Sequence, residues 1–239
     1  MTSKTNEFEG LKERTGITPK KKELYREAFT HRSFLNENPE RATRHNERLE
    51  YLGDAVLELV VTTFLFNKYP EKQEGELTSI RAALVNHIML SQVAEEVGLE
   101  AFMLLSKGEA KDSGRAKQAI LANAVEALIG AIYLDQGLET AGKFINQKIL
   151  IHLEEVVEKE LFIDSKSLLQ EIIQEELKLT PTYKITEENG PDHNKEFIAG
   201  VFFGETFIEK GRGFSKQEAE RDAAGNALKK WKNTAKSAS

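Results

Sequence analysis

The stretch NERLEYLGDAVL, residues 46–57, decides how the N-terminal part of this chain folds. It lies in a predicted helix over residues 43–67, where leucine, valine and phenylalanine recur at spacings typical of the buried face of an amphipathic helix. A row of acidic residues follows another side of the same helix. Like charges one turn apart repel each other, so the row either faces solvent as an ordinary charged surface or binds a cation. The acidic row consists of Glu47, Glu50, Asp54 and Glu58.

Two further features favour a cation-binding site over an ordinary charged surface. Gly53 lies in the middle of the predicted helix, where glycine costs about 1 kcal/mol relative to alanine, so another part of the chain is expected to approach its backbone closely. A second predicted helix, over residues 115–135, is rich in alanine and glycine and can therefore pack at short distance. If this helix packs on the Gly53 side, four oxygen-bearing side chains converge, and oxygen is the ligand that Mg²⁺ prefers. The four are Glu50, Asp54, Asn123 and Glu126.

The chain divides at about residues 158–164 into two segments of different pattern. Residues 1–160 are predicted to be nearly all helix, because glycine and proline are sparse and apolar residues recur with helical spacing. After Ile163 a helix, three alternating runs that predict strands and a final helix follow. The predicted fold class is therefore multidomain, with an all-α domain followed by a small α+β domain of order α-β-β-β-α. The predicted helices cover about 20–30, 43–67, 76–97, 115–135, 138–158, 165–178 and 215–231, and the strands cover 182–187, 196–203 and 205–210.

Composition excludes several classes of protein. With 40% hydrophobic and 30% charged residues among 239, the chain is expected to be globular and not fibrous or disordered. It contains no cysteine, which excludes a disulfide scaffold, a thiolate zinc site and a cysteine nucleophile. The most apolar window, residues 57–66, is far shorter than the roughly 20 residues of a membrane span, and we expect a soluble, cytoplasmic protein. The net charge of −6 argues weakly against a nucleic-acid partner, so any such partner must be recognised by local clusters.

Residues 46–57 resemble the signature of the ribonuclease III family, and three more stretches resemble that family in the same order. These are AFTHRSF at 28–34, the segment 74–82 that begins EGEL, and LANAVEALIGAIYLD at 121–135. The resemblance covers nearly the whole chain. It implies a magnesium-dependent endonuclease that cuts double-stranded RNA, with Mn²⁺ as a possible substitute for Mg²⁺.

The same resemblance implies roles for individual residues. Asp54 and Glu126 would be the most directly catalytic residues. Glu47 and Glu74 match further acidic positions near the cleft, where they are either supporting residues or plain surface glutamates. The metal ligands that the resemblance implies are Glu50, Asp54, Asn123 and Glu126.

Position 123 departs from the family pattern, because most members carry Asp where this chain has Asn123. An amide oxygen can still coordinate a hard cation, but the site loses one negative charge, which lowers its metal affinity or changes the preferred ion. Two interpretations remain open. Either the chain is an active nuclease that tolerates the change, or it is a catalytically weakened protein that binds double-stranded RNA and regulates it.

Residues 164–233 resemble a double-stranded RNA-binding domain. The matching stretches are the opening helix at 164–171, the loop at 190–197 and the start of the last helix at 215–224. Domains of this kind recognise shape, because they contact two minor grooves of the duplex and the phosphates between them.

The resemblance also implies which residues of this domain contact RNA. Gln170 and His193 would reach the minor grooves, and Lys216 would bind phosphate. Where the family usually has two basic residues, this chain has Lys216 followed by Gln217. One phosphate contact is therefore expected to be missing, for which Lys210 or Arg212 could partly compensate, and we do not expect tight binding by this domain alone. Three aromatic residues are expected in the core and not as stacking platforms for bases: Phe197, Phe203 and Phe207.

The family resemblance further implies an assembly and a reaction. The all-α domain is expected to form a homodimer in which Tyr51 packs into the partner subunit; the alternative places Tyr51 in the interior of its own chain. Each of the two metal sites would cut one strand, leaving 5′-phosphates, 3′-hydroxyls and short 3′ overhangs. By analogy the substrates are ribosomal RNA precursors and structured messenger RNAs, and no membrane is involved.

Overall fold

The chain forms two compact units, Met1–Phe162 and Ile163–Ser239. The division falls inside the stretch 158–164, where the sequence pattern changes. A helical unit is followed by a unit of two helices and one sheet, as the predicted fold class requires. The computed structural model describes residue 8 and residues 10–41, 44–111, 113–160, 162, 164–190 and 195–237.

The first unit consists of helices joined by short connections. Its two longest helices are central, and the apolar side chains that they bury form much of the core. The helices are α1 (Leu11–Thr15), α2 (Lys22–Ala28), α3 (Arg32–Glu37), α4 (Glu47–Lys68), α5 (Glu74–Val85), α6 (His87–Val97), α7 (Arg115–Lys148) and α8 (Leu153–Glu158), with short 3₁₀ helices at Leu99–Phe102, Glu109–Lys111 and Leu150–His152.

One predicted helix, over residues 76–97, is wrong, because the structure has two helices there. Asn86 separates α5 from α6 with an extended backbone (φ −73°, ψ 161°). Its side-chain oxygen accepts a hydrogen bond from the backbone N–H of Met89 at 2.9 Å, which caps the start of α6. Asparagine is among the residues that cap a helix N-terminus best. The Nδ2 group of Asn86 also donates to the carbonyl of Ala83 at 3.0 Å, so the same side chain bonds to the end of α5 and the start of α6.

The predicted break between the helices over 115–135 and 138–158 is confirmed, because Gly137 within α7 has a non-helical backbone (φ 84°, ψ 176°) that divides α7 into two helical parts. The second predicted helix is interrupted after Lys148 by a 3₁₀ turn before α8. The helical stretch Arg115–Glu158 is long and apolar enough to cross a membrane, but 61% of its most apolar window is buried inside the unit, as in the core helix of a globular domain.

The backbones of α4 and α7 are in direct contact where the two helices cross. A Cβ atom built on Gly53 would overlap the backbone carbonyl of Glu126 and lie 2.9 Å from the nitrogen of Gly130. A Cβ atom on Gly130 would overlap the carbonyl of Leu49 and lie 3.2 Å from the nitrogen of Gly53. Glycine is therefore required at both positions, and the close approach expected from a mid-helix glycine at position 53 is confirmed.

The second unit is a three-stranded antiparallel sheet covered on one face by two helices. The strands lie in the order β1-β2-β3, and the helices pack on their inward-facing side chains, which include Val201 and Phe203. At Gly211 a Cβ atom would overlap the backbone nitrogen of Ala223, so the third strand lies directly against the last helix. The elements are α9 (Ser165–Leu177), β1 (Pro181–Asn189), β2 (Glu196–Phe203), β3 (Thr206–Gly213) and α10 (Lys216–Ser237).

The expectation that Phe207 belongs to the core is wrong. Its side chain is 52% exposed, and its ring packs edge-on against Phe202 with the centroids 5.6 Å apart. The pairing of β2 with β3 shifts register between Val201 and Phe202, which sets Phe207 opposite Phe202. Since neighbouring residues of a strand face opposite sides, this pair lies on the sheet face away from the helices. Phe203 is buried, as expected, and Phe197 is half-buried.

Substitution of Gly53 by alanine tests the helix crossing. The added Cβ would force α4 and α7 apart, and we expect the free energy of unfolding of the first unit to fall by about 3 kcal/mol or more. Urea denaturation followed by circular dichroism measures it. The matched control is Gly142→Ala in α7, where a Cβ would have no neighbour within 4 Å, and which should stabilise the helix by up to about 1 kcal/mol. Equal stabilities of the two variants would contradict the crossing.

Candidate functional site

The helix crossing brings four oxygen-bearing side chains into one cluster. Glu50 and Asp54 lie on α4, one turn apart on either side of Gly53, and Asn123 and Glu126 lie on α7, one turn apart. The charges of Asp54 and Glu50 both act on Glu126, and Glu50 forms a side-chain hydrogen bond with Asn123. The arrangement expected from the spacing on two separate helices is therefore present. We call Glu50, Asp54, Asn123 and Glu126 the acidic cluster.

Burial and mutual repulsion make the ionised state of this cluster unfavourable. Burial of Glu126, which is only 9% exposed, raises the pKa of its carboxyl group to about 7, and the charges of Asp54 and Glu50 add to this effect. Burial also raises the pKa of Glu50, with a further contribution from the charge of Glu47. Asp54 is exposed to solvent. The cluster therefore combines a buried carboxyl group with an accessible one, and a bound cation would relieve the repulsion between them.

The side-chain amide of Asn123 has one polar group bonded within the cluster and one without a partner. Its hydrogen bond lowers the pKa of Glu50, so its NH₂ group donates to that carboxylate. The amide oxygen Oδ1 is buried and has no hydrogen-bond partner, although an unsatisfied buried acceptor costs about 1–3 kcal/mol. Among the described residues, no three His, Asp or Glu side chains are close enough to hold a metal ion by themselves. The fit to a cation therefore depends on this free amide oxygen together with the neighbouring carboxylates.

The other acidic residues singled out in the sequence have different surroundings. Glu58 is not part of the cluster, because its Oε2 atom lies 2.9 Å from Nε of Arg81 and joins α4 to α5. Glu47 is exposed and lies 3.8 Å from Arg32 Nη1 and 3.8 Å from His45 Nδ1. Glu74 is also exposed, and its Oε1 atom accepts a hydrogen bond from the hydroxyl group of Thr78, 3.1 Å away on the same helix. Of these three, only Glu47 influences the cluster, through its charge.

The predicted RNA-contacting residues belong to the second unit. Gln170 is exposed on α9, and Lys216 is exposed as the first residue of α10. The Nζ atom of Lys216 lies 3.6 Å from Oε1 of Glu188 and 5.8 Å from the centroid of the Phe197 ring. His193 lies outside the described residues.

Comparison with known proteins matches both units. Residues 21–153 match the model of the family described as Ribonuclease-III-like, and residues 165–230 match that of the double-stranded RNA binding motif. The enzyme named ribonuclease 3 from Bacillus cereus is 45% identical over 225 residues, which cover 94% of this chain and 91% of that protein. The chain belongs to the ribonuclease III family.

Solved structures of the ribonuclease III nuclease domain from Campylobacter jejuni are also similar to this chain. One of them is 41% identical, has a TM-score of 0.54 and covers 59% of this chain and 95% of that domain. Ribonuclease 3 of Bacillus anthracis is 45% identical over the same share of this chain, 94%. The chain is therefore an endoribonuclease with a C-terminal double-stranded RNA-binding domain, as membership of the ribonuclease III family implies.

Two histidines near the site have roles that their spacing did not indicate. His87, the first residue of α6, is close enough to Glu50 for its charge to lower the pKa of that carboxyl group. No sequence signal pointed to it, because its position follows from the unpredicted break at Asn86. His31 precedes α3 as its N-cap residue, and its Nδ1 atom accepts a hydrogen bond from the backbone N–H of Ser33 at 3.3 Å, which is a structural role.

The raised pKa of Glu126 predicts how metal-free protein responds to pH. In the folded state the pKa is about 7, against 4.5 ordinarily, so between these values the folded state binds more protons than the unfolded state. Stability is therefore lost as the pH rises through this window, and we expect a loss of a few kcal/mol. Urea denaturation in chelator at several pH values measures it.

Glu126→Gln removes the titrating group and should flatten this pH dependence. Glu154→Gln, which removes an exposed carboxyl group from α8, is the control and should keep the wild-type profile. A wild-type profile in the Glu126→Gln variant would show that burial of Glu126 is not its cause.

Proposed function

We propose that this chain hydrolyses phosphodiester bonds in double-stranded RNA in a metal-dependent reaction. Residues 1–160 would form the nuclease domain and residues 164–233 the RNA-binding domain. The observation that carries the proposal is the acidic cluster at the crossing of α4 and α7, with its buried carboxyl group and its free amide oxygen. Mg²⁺ is the expected cofactor, and Mn²⁺ is a possible substitute.

The four residues of the acidic cluster would hold the cation. A bound divalent cation makes water nucleophilic and stabilises charge on the attacking and leaving oxygens of a phosphodiester. Asp54 and Glu126 would be the catalytic residues, with Asp54 on the solvent side and Glu126 in the buried part of the cluster. Because the pKa of Glu126 is near 7, part of the protein carries a proton on this carboxyl group at neutral pH, and cation binding would release it.

The remaining polar residues would hold the duplex. Glu47, whose charge acts on Glu50, and Glu74 are proposed as supporting acidic residues. Gln170 and His193 would contact minor grooves, and Lys216 would bind a phosphate at the start of α10, where helix N-termini favour anions. The expected products carry 5′-phosphates and short 3′ overhangs. Ribosomal RNA precursors and structured messenger RNAs in the cytoplasm are the proposed substrates.

A homodimer through the nuclease domain is the proposed assembly. α4 exposes a row of large apolar side chains, among them Tyr51 at 83%, Leu59 at 54% and Phe66 at 69%. Tyr51 is therefore not buried in its own chain. Exposed apolar patches on globular proteins commonly mark interaction surfaces, and the Campylobacter jejuni nuclease domain is described as having a region involved in dimer formation. Two copies would offer one acidic cluster to each strand of a duplex.

The alternative of a weakened RNA-binding protein rests on Asn123 alone. The other three members of the acidic cluster keep their carboxyl groups, and these groups interact with one another. The nuclease is therefore the function that we propose.

Incubation of the full chain with a long RNA duplex tests the reaction. With Mg²⁺ or Mn²⁺ we expect cleavage to short duplexes, and with chelator none. Glu126→Ala should lower the cleavage rate by at least about 100-fold while the duplex is still retarded in a gel, because RNA binding does not require this residue. Glu154→Ala, in an exposed position of α8, is the matched control and should cleave normally. Retardation without cleavage in either metal would refute the nuclease.

Asn123→Asp tests the role of the neutral ligand. The added carboxylate should lower the half-saturating Mg²⁺ concentration about tenfold, or about 1.4 kcal/mol, because a fourth negative charge faces the cation. It should also lower the melting temperature of metal-free protein, since the hydrogen bond to Glu50 is replaced by repulsion. Calorimetric titration and thermal melting measure the two effects without RNA. Asn146→Asp, an exposed position on the same helix, is the control, and identical Mg²⁺ affinity in the two variants would exclude Asn123 from the metal site.

A further inference from the structure

One carboxylate in the RNA-binding domain lies between two lysines. Glu188, near the end of β1, has its Oε2 atom 3.3 Å from Nζ of Lys195 and its Oε1 atom 3.6 Å from Nζ of Lys216. Phe197 lies directly opposite Glu188 in the pairing of β1 with β2, and its ring is 5.8 Å from the same Nζ of Lys216. Lys216 is therefore held against the sheet, with the Glu188 carboxylate as its anionic partner.

The same lysine is the cation best placed to meet a phosphate. It is the first residue of α10, a helix of 22 residues, and unpaired backbone N–H groups together with the helix dipole favour an anion at such an end. Ser215 accepts only one of these N–H groups, that of Glu218, at 3.2 Å. The next position, Gln217, is neutral, and Lys195 is paired with the same Glu188 carboxylate. A phosphate that reaches the helix start must therefore interact chiefly with a lysine already paired to a carboxylate.

We propose that Glu188 is a built-in competitor of RNA phosphate for Lys216, and that it lowers the affinity of this domain for duplex RNA. The proposal rests on the proposed contact between Lys216 and phosphate. When RNA binds, Lys216 exchanges a carboxylate oxygen for a phosphate oxygen, so part of the attraction is cancelled by the lost ion pair. Exposed ion pairs are weak, so the expected effect is several-fold and not orders of magnitude.

Binding of the full chain to a 30-base-pair RNA duplex in the presence of chelator tests the proposal without cleavage. We expect Glu188→Gln to lower the dissociation constant about threefold to fivefold at low salt, measured by fluorescence anisotropy. The ratio between variant and wild type should approach one at high salt, where surface charges are screened. An unchanged or raised dissociation constant for Glu188→Gln would overturn the proposal.

Glu187→Gln is the matched control, because it removes the same charge one residue away. Neighbouring strand residues point to opposite faces, so the side chain of Glu187 is directed away from that of Glu188. Its variant should change the dissociation constant by less than about 1.5-fold at the same salt concentration. Equal gains for both variants would mean that net charge alone is responsible, and the specific competition would be rejected.

A double variant shows whether the effect passes through Lys216. Lys216→Ala alone should weaken binding, and in that background Glu188→Gln should give no gain. If Lys216→Ala weakens binding but Glu188→Gln does not tighten it in the wild-type background, only the competition fails. If Lys216→Ala leaves binding unchanged, the phosphate contact proposed for Lys216 fails, and the competition fails with it. Retention of the full gain in the Lys216→Ala background would assign it to another group and overturn the proposal.

Discussion

The backbone of α4 lies against that of α7 at Gly53 and Gly130, where neither helix has room for a Cβ atom. The position of every side chain in the acidic cluster depends on this contact. With larger residues at the crossing, the two helices would pack at the usual 8–10 Å between axes, and the groups on α4 would be further from those on α7. Glu50 and Asp54 flank Gly53, and the backbone carbonyl of Glu126 contacts Gly53. The residues that form the helix crossing therefore also position the acidic cluster.

The acidic cluster destabilises the folded, metal-free protein, and the apolar core of the same unit offsets this cost. A buried carboxyl group with a raised pKa, two neighbouring carboxylates and a buried amide oxygen without a partner are each unfavourable in the metal-free protein. The same two helices completely bury apolar residues such as Leu57 and Leu128, and this burial offsets the cost. Departures from the rule that buried polar groups are satisfied are expected at functional sites, and the Asn123 oxygen is such a departure at the helix crossing.

Local sequence signals predicted some features well and others poorly, for physical reasons. The mid-helix Gly53 indicated a close backbone contact because glycine is unfavourable there without one. Asn86 separates two helices through side-chain hydrogen bonds to the Ala83 carbonyl and the Met89 N–H, which the apolar spacing of residues 76–97 does not reveal. Phe207 was expected in the core and not as a stacking platform for bases, but a register shift in the pairing of β2 with β3 turns it outward. Ion pairs between residues far apart in sequence, such as Glu58 and Arg81, depend on how the helices pack and could not be predicted from sequence spacing.

Acidic residues have different surroundings in the two units. For this reason the net charge of −6 did not predict a nucleic-acid partner. In the part of the nuclease unit that the structure describes, no lysine or arginine forms an ion pair with Glu50, Asp54 or Glu126, so a cation can relieve the repulsion between these carboxylates. At the edge of that cluster, Glu47 instead lies 3.8 Å from the guanidinium group of Arg32. In the RNA-binding unit, Glu188 forms ion pairs with Lys195 and Lys216, and phosphates of RNA would compete with it for these lysines. An acidic chain can thus bind RNA because the distribution of its charges, and not their sum, determines which surfaces attract phosphate.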